Sequence, residues 1–170
     1  MKTKISGFGL SVFLFFILFS PSTARAVNYT TISYNYWDGR IATQTLTKDK
    51  SPYLVLSGCA NNKLDAGITL TIEAGVVVKF AANKPCGMWG TVHAGLYIAG
   101  NLIVKGTLEE PVIFTSYYDD SYGGDTNGDG NATHPNPGDW RKIELDIRLG
   151  NLTIKNAIFR YGGQGSALMT

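Results

Sequence analysis

Short apolar runs recur along the chain between about residues 53 and 159, and each spans three to five residues. In many of them apolar side chains alternate with Thr, Lys or Glu, which is the two-residue period of a strand with one buried face. Glycines such as Gly75, Gly100 and Gly150 separate the runs. No segment after residue 26 carries the 3.6-residue apolar period of an amphipathic helix. The pattern predicts an all-β fold, with strands near 53–56, 68–72, 76–80, 96–98, 102–104, 112–115, 143–145, 152–154 and 157–159.

The spacing of these predicted strands favours a solenoid over a sandwich or a barrel. The runs recur at roughly 6–12 residues, and matched strands joined by two-residue Asn-Gly or Asp-Gly turns, which hairpins prefer, are not found. In a solenoid, successive coils pair at about 4.8 Å, so inward Val, Ile, Leu and Phe side chains stack into one continuous core. We therefore expect few coils, formed by residues 51–170, after an N-terminal strand-and-loop cap formed by residues 27–50.

The first 26 residues have the pattern of a secretory signal peptide. Lys2 and Lys4 precede an uncharged apolar run over residues 8–19, and the small residues of 24–26 provide a cleavage site. The run is shorter than the roughly 20 residues that a membrane-spanning helix needs. We expect cleavage and a secreted or cell-surface protein, with an uncleaved membrane anchor as the alternative and no membrane span after cleavage.

Composition and charge exclude several classes of protein. The 170 residues are 44% hydrophobic and 16% charged, which is too apolar for a disordered chain. Removing residues 1–26 takes away three basic residues and no acid, so the net charge changes from +2 to −1. A nucleic-acid partner is therefore not expected, because such proteins present a basic face.

The chain has two cysteines, Cys59 and Cys86. An exported chain folds in an oxidising compartment, so we expect a disulfide between them. Closing that loop would stabilise the fold by about 3–4 kcal/mol. Two buried free thiols are the alternative, and the lack of histidines at ligand spacing argues against zinc.

A segment over residues 117–139 interrupts the strand pattern and is rich in Asp, Asn and Gly. In the stretch 125–130 an Asp or Asn stands at every second position, so Asp125, Asn127 and Asp129 are able to converge on one cation. Gly130 stands where a calcium loop turns sharply, and the backbone carbonyl of Asn131 stands where such a loop supplies a ligand. These hard oxygen ligands suit calcium.

The segment is not an EF-hand, because the twelfth position of the loop is Asn136 instead of Glu and no helices flank it. The remaining ligand would come from Asp119, Asp120 or Asp139. We expect a structural calcium site, since crowded like charges repel until a cation bridges them. A solvated turn cluster is the alternative, because Asp, Asn and Gly are also ordinary turn residues.

The stretch 70–80 resembles the opening coil of secreted, pectate-lyase-like right-handed parallel β-helix proteins. Stretches 101–108, 110–116 and 152–163 continue the resemblance, which covers about residues 68–163. The chain departs from the family pattern at Ala74, where Pro is usual, and at Arg141 and Lys142, where small residues are more common. The resemblance implies a right-handed parallel β-helix at the cell surface. It implies no particular chemistry, because this architecture hosts lyases, hydrolases, adhesins and inert scaffolds.

No residue is predicted to be catalytic. A lyase would need a positioned base, and nothing in the sequence distinguishes any of the candidates, which are Arg141, Lys142, Arg148 and Arg160. Asp119 and Asp120 are adjacent, so on a strand they would face opposite ways, and His93 and His134 stand alone. The alternative to a scaffold is a fragment of a polysaccharide lyase or glycoside hydrolase.

Aromatic residues flank the acidic segment, and their faces are of the kind that stack on sugars. The candidates are Tyr117, Tyr118, Tyr122 and Trp140. Packing beneath the long loop is the alternative. We expect an exported scaffold or binding module whose partner is a surface polysaccharide or another glycan. Because the chain ends shortly after a coil corner, we also expect further β-helix coils in a longer chain, with a partner chain that covers the open end as the alternative.

Overall fold

The computed structural model describes residues 27–32, 38–56, 62–82 and 90–163, together with the backbone of residues 84–85. The predicted signal peptide and the predicted disulfide between Cys59 and Cys86 lie outside the described residues.

The described residues form fourteen strands and one short 3₁₀ helix, with no α-helix among them. The strands are β1 (Thr30–Thr31), β2 (Gln44–Leu46), β3 (Tyr53–Val55), β4 (Asn62–Leu64), β5 (Thr69–Glu73), β6 (Val77–Phe80), β7 (Lys84–Pro85), β8 (Thr91–Val92), β9 (Leu96–Ile98), β10 (Asn101–Lys105), β11 (Val112–Ser116), β12 (Ile143–Leu145), β13 (Asn151–Lys155) and β14 (Ala157–Phe159). The 3₁₀ helix, Lys48–Lys50, lies between β2 and β3.

Twelve of these strands form three parallel sheets. Sheet A has the order β1-β3-β6-β11-β14, sheet B the order β2-β5-β10-β13, and sheet C the order β4-β9-β12. The chain visits sheets C, B and A in turn, and each visit pairs in parallel with the one before. The prediction of an all-β chain of parallel strands is confirmed, and the topology is compatible with a solenoid. β7 and β8 form a separate antiparallel pair.

The parallel strands pair in register, so that similar residues lie next to one another on neighbouring strands. In sheet B, Leu70, Leu102 and Leu152 occupy equivalent positions on successive strands. In sheet A, Phe114 pairs with Phe159, and their rings stack with centroids 4.8 Å apart. The alternation of each strand therefore turns one set of side chains toward a common interior.

Burial changes abruptly at the last strand of sheet B. Leu102 and Val104 of β10 are fully buried, whereas Leu152 and Ile154 of β13 are 37% and 41% exposed. No described strand pairs with the far side of β13. The inward side chains of β10 are thus covered because β10 has a neighbouring strand on each side. Those of β13 are partly exposed because β13 lies at the edge of the sheet.

The two longest connections leave sheet A and enter sheet C. Residues 81–95 join β6 to β9, and residues 117–142 join β11 to β12. The connections from sheet B to sheet A are shorter, as at residues 74–76 and 106–111. The acidic segment is therefore an insertion at one corner of a regular framework, and loops on a rigid framework commonly carry function.

Truncation of the sheet B core tests this packing. We expect Leu102→Ala to lower the free energy of unfolding by about 2–5 kcal/mol, because it removes buried methyl groups and leaves a cavity. Leu108→Ala is the matched control, since Leu108 is 85% exposed, and it should change the value by no more than about 0.5 kcal/mol. Urea unfolding measures both, and equal effects would contradict the packing.

Candidate metal centre

The acidic insertion folds back over the outer face of sheet A. Lys79 lies between the core residues Val78 and Phe80 of β6, so its side chain faces outward, yet it is fully buried. Its Nζ donates to the carbonyl of Gly124 at 2.6 Å and to Oγ1 of Thr126 at 2.9 Å. The lysine thus joins the sheet to the middle of the insertion.

Burial lowers the pKa of Lys79 from 10.5 to about 8, because the charged ammonium is removed from water. The nearby carboxylates of Asp120, Asp119 and Asp125 oppose this effect. Sequence reasoning missed this residue because a polar side chain within an alternating strand indicates a solvated face. Nothing local in the sequence indicates that a distant loop covers it.

Asp119 anchors the start of the insertion. One carboxylate oxygen accepts from Oγ1 of Thr115 at 2.5 Å and lies 3.5 Å from Nε of Arg160. The other accepts from the backbone N–H of Ser121 at 3.1 Å and from the Ser121 hydroxyl. These partners are all protein groups, and Asp119 lies outside the cluster of carboxylates described below.

Asp139 anchors the end of the insertion in the same way. Its Oδ2 accepts from Oγ of Ser116 at 2.5 Å and from the backbone N–H of Asn136 at 3.0 Å. Its backbone carbonyl lies 2.7 Å from Nδ1 of His93. Asp139 is also outside the carboxylate cluster. The structure therefore places these two predicted ligands at the ends of the insertion, where they bind the adjoining strand β11.

Trp140, which follows Asp139, belongs to the core. It is 2% exposed, its ring stacks on Phe80 with centroids 4.2 Å apart, and its Nε1 donates to the carbonyl of Arg160 at 2.7 Å. The predicted role of Trp140 in stacking on a sugar therefore needs correction, because neither face of the ring is open to a ligand.

Three carboxylates meet inside the insertion. Asp120, Asp125 and Asp129 each have an oxygen within 4.8 Å of the others, and all three side chains are half-buried. Burial raises the pKa of Asp120, and the negative charge of Asp125 adds to that rise. The cluster therefore concentrates negative charge where water is partly excluded.

Asp125 organises the loop that brings Asp129 to the cluster. Its two carboxylate oxygens accept from the backbone N–H groups of Gly128 at 2.7 Å and Gly130 at 2.9 Å. Both glycines have left-handed backbone angles, with φ of 74° and 71°. Residues with a side chain rarely adopt this conformation, so the two glycines permit the tight turn.

Three buried oxygens of this region have no hydrogen-bond partner. They are Oδ1 of Asp120, Oδ1 of Asn127 and Oδ1 of Asp129. The amide nitrogen of Asn127 is engaged, since it donates to the other carboxylate oxygen of Asp129 at 2.8 Å and to Thr133 at 2.8 Å. Leaving a buried acceptor unsatisfied is costly. All three groups are acceptors, which is the requirement for coordinating a cation.

The structure thus brings together four of the seven predicted ligands, namely Asp120, Asp125, Asn127 and Asp129. Asn131 follows Gly130 directly in the chain at an exposed position. The four side chains offer only oxygen, the donor that calcium and magnesium prefer over zinc. The arrangement is chemically suited to hold one divalent cation.

The predicted carbohydrate-stacking tyrosines are all half-buried. Tyr117 packs edge-on against Tyr29, with centroids 6.4 Å apart, and its hydroxyl donates to the carbonyl of Thr126 at 3.3 Å. Tyr118 packs against Tyr117 at 5.9 Å, and the guanidinium of Arg160 lies 5.0 Å from the Tyr122 ring. These contacts make the rings part of the packing around the insertion.

Three of the four residues considered as a lyase base contact carboxylates. Lys142 pairs with Glu144 at 3.2 Å and Arg148 with Asp146 at 3.6 Å. Arg160 pairs with Asp119, as described above. Arg141 and Lys142 line a shallow groove beside β9, together with Tyr97 and Glu144.

Comparisons with protein-family models, with curated proteins and with solved structures found no match. Among the described residues, no helix has the length and apolar character needed to cross a membrane.

The buried lysine predicts a pH dependence of stability. Between pH 8 and 10.5 the unfolded chain holds a proton on Lys79 that the folded chain has released, so the free energy of unfolding rises with pH. We expect the wild-type value to rise relative to that of Lys79→Met across this window. Urea unfolding of both proteins in a chelator measures the difference, and a difference independent of pH would contradict the prediction.

Proposed function

We propose that this protein is an exported right-handed parallel β-helix scaffold with a structural calcium ion in its acidic insertion. The observation that carries the calcium site is the set of three buried oxygens without hydrogen-bond donors, on Asp120, Asn127 and Asp129. The carboxylate of Asp125 adjoins them. In this proposal the cation supplies the positive partner that these oxygens lack.

The donor set favours calcium over magnesium. Calcium accepts six to eight oxygens in irregular geometry, whereas magnesium requires a near-ideal octahedron. Four side chains from a loop without regular strands supply part of the calcium shell, and backbone carbonyls and water complete it. Three carboxylates also provide a net negative site, although the ammonium of Lys79 offsets some of that charge.

A structural role follows from where the ligands lie in the chain. Asp119 and Asp139 already attach the two ends of the insertion to β11, and Lys79 attaches its middle to β6. The proposed ligands belong to the interior of the insertion, with Asp120 near its start and 125–129 near its centre. A shared cation would therefore cross-link one part of the loop to another, which reduces its freedom to unfold.

The topology and the sequence resemblance support the β-helix. The chain passes through sheets C, B and A in the same order three times, and each pass pairs in parallel with its predecessor. The stretches that resemble secreted β-helix proteins include β6, β10, β11 and β14. Export is supported by the signal-peptide pattern of residues 1–26. A glycan partner remains a prediction from the sequence.

A thermal melt of residues 27–170 tests the calcium site. A ligand that binds only the folded state at a hundredfold excess over its dissociation constant stabilises by about 2.7 kcal/mol. We expect calcium to raise the melting temperature of the wild type by several degrees over the value in chelator. Magnesium at the same concentration should raise it less.

Asp129→Asn removes one charge from the cluster with little change of shape and should abolish most of the calcium effect. In chelator it should be at least as stable as the wild type, because it relieves repulsion among the carboxylates. Glu109→Gln is the matched control, since Glu109 is exposed and lies outside the cluster. Melts of the wild type that superimpose with and without calcium would refute the metal site.

A further inference from the structure

The first described residue contacts the acidic insertion directly. The backbone nitrogen of Val27 donates to the carbonyl of Asp125 at 2.6 Å. Its side chain lies against Gly124, where a Cβ would approach Val27 Cγ2 to 2.7 Å. Val27 is also the residue that follows the predicted cleavage site at residues 24–26. The start of the expected mature chain therefore lies at the proposed calcium loop.

The position of Val27 is held from both directions. On its C-terminal side, β1 pairs with β3, and Thr30 bonds to Pro52 and Lys50 through its backbone and its side chain. Across the insertion, the carbonyl of Gly124 accepts from the ammonium of Lys79. Two successive carbonyls of the insertion thus accept hydrogen bonds from different nitrogens. The Gly124 carbonyl accepts from Nζ of Lys79, and the Asp125 carbonyl accepts from the backbone nitrogen of Val27.

Cleavage would change the chemistry of the second nitrogen. In the uncut chain Val27 offers one neutral amide N–H. Hydrolysis of the Ala26–Val27 bond by a signal peptidase consumes one water, leaves the carboxylate on the released peptide, and leaves Val27 with an amine that carries a proton as an ammonium. A charged donor forms a stronger hydrogen bond than an amide, and the carboxylates of Asp120, Asp125 and Asp129 favour positive charge nearby.

We propose that the ammonium group created at Val27 by signal-peptide removal docks on the acidic insertion by donating to the Asp125 carbonyl. Processing then adds a cation beside the insertion and fastens the calcium loop to β1. This inference rests on the export part of the proposed function, and it does not require that calcium be bound. The docking site of the ammonium is the contact between Val27 and residues 124–125.

The test begins with the mature chain itself. The full sequence is produced in an exporting host, and the N-terminus of the exported protein is identified by mass spectrometry. A chain that starts at Val27 is the expected result. A chain that starts elsewhere, or that retains residues 1–26, would overturn the inference.

Three forms of the protein, all ending at residue 170, then distinguish the effect of the charge from the effect of its position. The first begins at Val27 with a free amine, the second begins at Ala26 and so moves the ammonium by one residue, and the third has Val27 acetylated on nitrogen. In chelator, we expect the first form to melt about 4 °C above the other two, a shift typical of one added stabilising interaction in a domain of this size. We also expect acetic anhydride to modify the Val27 amine more slowly than the Ala26 amine.

The same three forms distinguish failure of this inference from failure of the calcium site. Identical melting temperatures of the three forms in chelator, together with equal acetylation rates of the Val27 and Ala26 amines, would refute the docking of the ammonium, whether or not calcium stabilises all three forms. A higher melting temperature of the Val27 form in chelator, without any calcium effect, would support the docking and refute the calcium site.

Discussion

The registered stacking of parallel strands is the constraint on which the rest of the structure depends. Each strand of sheets A, B and C repeats the alternation of its neighbour, so that Leu70, Leu102 and their equivalents face one interior. A shift of one residue would turn each of these side chains to the opposite face. Because the register leaves little freedom along the strands, variation in length is confined to the corners. The longest insertion lies at the corner between sheets A and C.

A polar insertion on the outer face of a sheet creates a second, different interior. It buries Lys79, Thr115 and Asp119, which would otherwise be solvated. These three side chains form hydrogen bonds within the protein: Lys79 donates to Gly124 and Thr126, and Thr115 donates to Asp119. The Oδ1 oxygens of Asp120, Asn127 and Asp129 have no such partner. That contrast separates the carboxylates that attach the insertion, Asp119 and Asp139, from the side chains that are suited to hold a cation.

The strands could be predicted because their apolar residues form short local runs, which alternate with Thr in β5 and are continuous in β11. The short strands β2 and β4 were not predicted, since their local patterns are weak and their parallel pairing with β5 and β9 decides their conformation. The spacing of Asp125, Asn127 and Asp129 predicted their convergence. No local signal assigned Asp119 and Asp139 to Thr115 and Ser116, since those contacts depend on how the insertion returns to β11.

We propose that one calcium ion binds among Asp120, Asp125, Asn127 and Asp129. Calorimetric titration of residues 27–170 with calcium, beside Asp120→Asn, tests it most directly. Asp120 lies apart in the chain from the 125–129 loop, so its contribution depends on the folded insertion and not on the loop motif alone. We expect one bound calcium per chain and a large loss of affinity in the variant. Absence of binding, or equal affinity in both proteins, would contradict it.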